Sequence, residues 1–302
     1  MNETTTTEVQ NPALVRLVDV TQSTRVEDMN YIFNYTRVKN PDDVFTPYFA
    51  LHYKEQQQEN WSSCRNLLSD KFTVAKTAAV ITQIRESLGG DIQSERHYRS
   101  GTSAKSIFTL SGFQIDVVPE PDINTVLFKL ITNINSEINV LTSSNLTFNI
   151  INGYAGNHAL QLSFGLLKTI TANSGSEDRI VPINNIFLLD KYTKRLIHDN
   201  RMNISISDVV NVQQQIINQI VLFKRLNMTQ SIFNDICEKL PKKFAKKFIS
   251  LYDNLSEDIR NFYYCSFILS MLLDDEKDIT LEIKLRDIIQ KKIVTLELAT
   301  TV

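Results

Sequence analysis

The stretch IINGYAGNHALQLSFG, Ile150–Gly165, decides the fold class. It reads as strand, polar turn, strand. On its upstream side Leu146, Phe148 and Ile150 alternate with Thr147 and Asn149, and downstream His158, Leu160, Leu162 and Phe164 alternate with Ala159, Gln161 and Ser163. A period of two places each set on one face of a strand. Asn152, Gly153, Gly156 and Asn157 lie between the runs. These residue types tolerate positive φ and make local hydrogen bonds, as a hairpin connection requires. His158 then reads as a core or edge histidine rather than a catalyst. Tyr154 is different: at the tip of an exposed turn an aromatic ring gains little from folding, so it is a candidate contact for a ligand.

The same period extends upstream. In KSIFTLSGFQIDVV, Lys105–Val118, alternation on both sides of Ser111-Gly112 predicts a second hairpin with its turn there. Proline in VPEPD ends that ladder. The run INTVLFKLITNINSEINVL, Ile123–Leu141, fits a helix or strands. Before the strands, TVAKTAAVITQIRESLGG has Ala78, Ile81, Ile84 and Leu88 on one helical face, with Gly89-Gly90 as its stop. Residues 1–25 are polar and Thr-rich and read as a mobile tail. The aromatic-rich segment Met29–Trp61 reads as short strands or loops around a Pro41-Asp42 turn.

Beyond about residue 200 the period becomes helical. Val209, Val212, Ile216, Ile220 and Phe223 form one stripe, and Ile232, Phe233, Ile236, Cys237 and Leu240 form the next, behind a Thr229 cap. Pro241 suits the first position of PKKFAKKFISLY. Ser256, with Glu257 and Asp258 favourably placed near a helix N-terminus, opens SEDIRNFYYCSFILSMLL. The last segment, from Asp278, satisfies both periods and is read as a helix. The expectation is an α+β protein: an antiparallel, hairpin-rich sheet with a packed helix, then a helical C-terminal third. Its divisions are a tail at 1–25, an α+β core at 26–200 and a helical region at 201–302 packed on that core.

A net charge of −2 excludes a global basic field, so nucleic acid would have to bind a local patch. The three cysteines are Cys64, Cys237 and Cys265; with no CxxC pair they read as thiols in a reducing compartment. The four histidines lack metal-ligand spacing, and no cofactor is implied. The N-terminal residues do not read as a signal peptide, and no run of about 18 apolar residues predicts a membrane span. Phosphate-loop, dinucleotide, zinc-protease and serine-hydrolase motifs are all missing, so nothing in the sequence argues for a catalytic residue.

Two basic candidates remain. RESLGGDIQSERHYRSGTSAK carries Arg85, Arg96, Tyr98, Arg99 and Lys105. Arginines beside an aromatic ring can hold phosphates and stack a base, although charges on an edge strand also serve to discourage edge pairing. In PKKFAKKF, Lys242, Lys243, Lys246 and Lys247 span about 140° of a helix at 100° per residue, with Phe244 and Phe248 opposite. That face suits phosphates or an acidic partner, and is also what a solvated amphipathic helix looks like. The carboxylates Asp274, Asp275, Glu276 and Asp278 read as a solvated loop, and Asp116, Glu120 and Lys129 have poor spacing for a nuclease site.

LSDKF at Leu68–Phe72, the following helix and Gly pair, and the turn residues Asn152, Gly153, Gly156, Asn157 and Ala159 together resemble the phage/plasmid-like family of unknown function, domain of unknown function nine-three-two. The resemblance covers about residues 60–270. It departs from that pattern at Ala155, where the family has Asp, and at Ile170–Asn173, in place of a Cys-x-Asn. The resemblance implies a phage, prophage or plasmid protein of α+β fold, made in the cytoplasm of a bacterial host. The leading expectation is a non-enzymatic protein that binds single- or double-stranded DNA in replication, recombination or maintenance, with the ten residues from Arg85 to Lys247, Tyr154 included, as its contacts. It predicts that the basic strand and the lysine helix converge on one surface. The alternatives are a self-associating virion or assembly protein and a protein that binds a host or defence-system partner.

Overall fold

Among the described residues, two five-stranded antiparallel sheets and a two-stranded ribbon precede the C-terminal helices. The computed structural model describes residues 14–114, 139–157, 160–173, 178–185, 206–255, 257, 260–274, 279 and 281. Strand β1 (Leu14–Arg16) pairs with β7 (Thr73–Ala75) in a two-stranded ribbon. Strands β2 (Ser23–Asp28), β3 (Tyr31–Lys39) and β4 (Phe45–Glu55) form a small sheet, with β5 (Ser62–Ser63) and β6 (Leu68–Ser69) along the other side of β4. Helix α1 (Thr77–Leu88) leads into the larger sheet of β8 (Ile92–Ser100), β9 (Ser103–Gln114), β10 (Asn139–Gly153), β11 (Gln161–Asn173) and β12 (Asp178–Asn185). Its spatial order is β12-β11-β10-β9-β8, every neighbour antiparallel. Helices α2 (Ile206–Arg225), α3 (Gln230–Lys239), α4 (Lys242–Tyr252) and α5 (Phe262–Asp274) follow. The α+β class is as expected.

The central hairpin is β10–β11, with Ile150 opposite Leu162 and Phe148 opposite Phe164. The alternating residues do what their period requires. Leu146, Phe148, Ile150, Leu162, Phe164 and Leu166, with Phe108 and Leu110 of β9, line the inner face at no more than 1% exposure. Against them pack Val80, Ile81, Ile84 and Leu88 of α1 and the apolar stripes of the C-terminal helices. Each such side chain contributes roughly 1.5–3 kcal/mol on leaving water. Residues Phe262–Ser270 of α5 are buried on every side, so this helix forms the middle of the helical layer. It lies against β12, and α2 and α4 pack on it.

Several expectations change. The tail does not extend to residue 25: Leu14 and Leu17 are buried, and Leu17 donates its N–H to the Phe72 carbonyl at 3.1 Å. Residues 29–61 are not short strands, since β3 and β4 run for 9 and 11 residues on either side of the expected turn at Pro41-Asp42. Ser111-Gly112 is not a hairpin turn. Strand β9 continues through it, and the register slips there because β10 advances from Asn145 to Thr147 while β9 moves from Gln114 to Thr109. Gly112, at φ +76°, supplies the left-handed residue of that bulge. The β8–β9 turn lies instead at Gly101-Thr102, with Gly101 at φ +55°. Residues 73–75 are strand rather than helix, and Ala78 faces solvent while Thr77 and Val80 face inward. The predicted start at Ser256 moves to Asn261, whose side-chain oxygen accepts the Tyr264 N–H at 3.1 Å and caps α5. His158, residues 115–138 and most of the segment after Asp274 lie outside the described residues.

Candidate nucleic-acid interface

Strand β8 is the edge of the large sheet, and its pleat separates the basic residues that look contiguous in sequence. Tyr98 stands opposite Lys105 and Arg96 opposite Ile107, on the face away from Arg99. Arg99 stands opposite Ala104, which is buried in the core between the two sheets. Lys105 is only 8% exposed, while Tyr98 stays open beside it with the ammonium 5.8 Å from its ring. Arg85 points from α1 to β8 and is held by Glu95 through Nε and Nη2 at 2.6–3.2 Å. That pairing holds the Glu95 carboxyl below its ordinary range. Arg99 enters an aromatic box, its guanidinium carbon 4.2 Å from the ring centre of Tyr31, 4.4 Å from Tyr154 and 4.9 Å from Phe33. Its three nitrogens are buried, so Arg99 attaches β8 to the small sheet through ring faces rather than hydrogen bonds.

Tyr154 does not stand at an exposed tip. It is fully buried, because the whole connection folds against the small sheet instead of standing in solvent. Its ring stacks on Phe33 with centroids 4.2 Å apart and planes 1° from parallel. Its N–H donates to the Thr102 carbonyl at 2.9 Å, and its own carbonyl accepts the Tyr35 hydroxyl at 3.0 Å. The phenol donates to Asp28 Oδ2 and accepts from the Thr77 hydroxyl. Thr77 in turn accepts from Asn152 Nδ2 at 3.0 Å, and the same amide reaches the Ala75 carbonyl at 2.7 Å. Hydrogen bonds thus run in one direction, Asn152 to Thr77 to Tyr154 to Asp28, and end on a carboxylate. Burial first, then the Asp28 charge, pushes the phenol's pKa up, so Tyr154 remains a donor. Asp28 also accepts the backbone N–H groups of Thr77 and Ala78, and so caps α1 from 49 residues upstream. Gly156 closes the loop at φ +68°; a Cβ there would meet Leu68 Cδ2 at 2.9 Å.

The lysine helix matches its reading. Lys242, Lys243, Lys246 and Lys247 are all exposed, while Phe248 and Tyr252 are buried and Phe244 half-buried. Tyr252 stacks on Phe233 of α3 and Phe248 packs tilted against it, with centroids 4.1 and 5.3 Å away, which fixes the rotation of α4. None of the four ammonium groups forms an ion pair among the described residues. This helix packs on α5 against the β12 side, whereas β8 is the opposite edge of the sheet. Four inter-strand spacings, roughly 19 Å, separate those edges. The basic strand and the lysine helix thus lie toward opposite edges of the large sheet.

Other functional candidates escaped the sequence reading. Trp61 and Tyr48 are 45% and 48% exposed, and Lys54 lies over the Trp61 ring at 5.3 Å. All three sit in the segment read as short strands or loops, where the pleat that exposes them was not resolved. Asp28 had one indirect signal: Lys76, the residue before α1, cannot cap it, so the cap must come from elsewhere.

Among the described residues no cluster of His, Cys, Asp and Glu could hold a metal ion, and no helix is long and apolar enough to cross a membrane. Compared with protein-family models, curated proteins and solved structures, the chain matches none.

Proposed function

We propose that this protein binds nucleic acid without catalysing a reaction, and that the lysine face of α4 is its phosphate-contacting surface. One observation carries the reading: four exposed ammonium groups, free of ion pairs among the described residues, on a helix whose rotation is locked by buried aromatic rings. Such a face gains by releasing counterions from a phosphate backbone, and gains little from folding alone. The resemblance at the β10–β11 connection and at Leu68–Phe72 supports a setting in phage or plasmid DNA metabolism within a bacterial cytoplasm.

Fluorescence anisotropy with a short labelled DNA, at about 50 mM and about 200 mM salt, tests this directly. Binding should be tighter at the lower salt. Substituting Lys242, Lys243, Lys246 and Lys247 together by Ala should reduce the slope of log K against log salt by roughly 3, at about 0.7–0.9 per lost phosphate contact. An absence of binding at the lower salt would remove the proposal, because electrostatic association is strongest there.

A further inference from the structure

We propose that the outer face of the small sheet is a base-stacking platform for single-stranded nucleic acid, with Trp61 and Tyr48 as its rings. This rests on the nucleic-acid reading above but uses a different surface. On β4, Phe49 and Leu51 point inward at 0% exposure, so Tyr48, Ala50, His52 and Lys54 point outward. The strand register continues this face sideways. His52 stands opposite Ser63 on one flank, within 2.9 Å of its hydroxyl, and opposite Asn34 on the other; Asn34 in turn faces Arg25 of β2. Trp61 precedes β5 and lies under the Lys54 ammonium. The platform thus has an aromatic ring near each end, about 20 Å apart along β4 at 3.3 Å per residue.

The composition between the rings selects the occupant. Ala50 and Thr36 leave the middle low, and Asn34, His52 and Ser63 line it with hydrogen-bonding groups. A protein partner would favour an apolar, dry centre flanked by a polar rim. Here the order is reversed, with rings outside and polar groups inside. Bases suit that order, because every base has a face to stack and an edge to hydrogen-bond. Arg25 and Lys54 supply positive charge at the margin for phosphates, Arg25 being also paired with Glu27 at 2.7 Å. Duplex bases are stacked on each other and cannot offer their faces to a flat sheet, so the ligand is a single strand.

Trp61 is the chain's only tryptophan, so its emission reports on this face alone. The full chain is titrated with a labelled thymidine oligonucleotide of about 15 nucleotides at about 50 mM salt, following probe anisotropy and tryptophan emission together. Trp61 emission should be quenched in step with the anisotropy rise, a duplex of equal length should compete weakly, and Trp61→Ala should weaken binding roughly 5- to 150-fold. Trp61→Phe, which keeps a ring, should restore most of that loss. Binding with unchanged Trp61 emission and an unaltered affinity for Trp61→Ala would overturn this inference while leaving the lysine-helix proposal standing. No binding by either signal would overturn both.

Discussion

Tyr154 joins three elements through one phenol. It stacks on β3 through Phe33, reaches β2 through Asp28 and meets the first turn of α1 through Thr77. Replacing it by Phe keeps the stack and deletes the hydroxyl, leaving the buried Asp28 and Thr77 groups each one partner short. Tyr154→Phe should therefore cost about 1–3 kcal/mol, read as a lower urea midpoint at unchanged slope. Because the folded phenol has a raised pKa, its contribution is complete below the ordinary tyrosine value of about 10 and falls as pH rises through the folded one. An equal midpoint for the two proteins at neutral pH would show that the directional chain adds nothing. In sequence, an aromatic inside an Asn/Gly-rich turn looked like an exposed tip. Only Gly156 of that turn has positive φ; Asn152 works as a buried side-chain donor instead.

At the scale of elements, α1 is tied to the edge strand β8 by Arg85 and Glu95. The guanidinium hydrogen bonds lower the Glu95 pKa, so the pair stabilises the fold above the unfolded glutamate value, about 4.3, and is lost as pH falls through the lower folded value. The Arg85 side chain is 53% exposed, which limits the gain to about 1 kcal/mol or less. Thermal melts between pH 7 and pH 3 should show wild type and Arg85→Ala converging at the acid end, with the gap opening as Glu95 ionises. A gap that persists below the folded value would assign the effect to packing instead. Elements were also where the sequence was most legible. The stripe from Val209 to Phe223, the Thr229 cap, the alternation in β10 and β11, and the lysine face of α4 all stand in the structure. Each depends on neighbours within one turn of helix or one stretch of strand. Ends were less legible: α5 begins at Phe262, behind Asn261, whose side chain caps it and whose bridge to Asn227 ties that corner to the end of α2.

Over the whole molecule, a polar and aromatic junction around Asp28, Tyr154, Phe33 and Arg99 fastens the small sheet to the large one. Asp28→Ala would leave the N–H groups of Thr77 and Ala78 and the Tyr154 hydroxyl without their acceptor inside the protein. The expected cost is roughly 3 kcal/mol or more. In hydrogen exchange, protection should fall together in β2–β4 and at the start of α1, while the β10–β11 hairpin keeps most of its own. Loss confined to α1 would mean that the junction is only a helix cap. The two basic candidates follow the same division. Their residue types and spacing were visible in the chain, but the sheet order put β8 and the α4–α5 pair on opposite edges, and the pleat sent Arg99 inward and Tyr98 outward. By itself the sequence determined the periodicities, and with them the α+β class, the hairpin and the basic amphipathic helix, because those depend on residues a few positions apart. The tertiary structure decided what caps α1, where Tyr154 lies and which aromatics remain in solvent, because Asp28 meets Thr77 across 49 residues and Tyr154 across 126, distances over which no local pattern carries information.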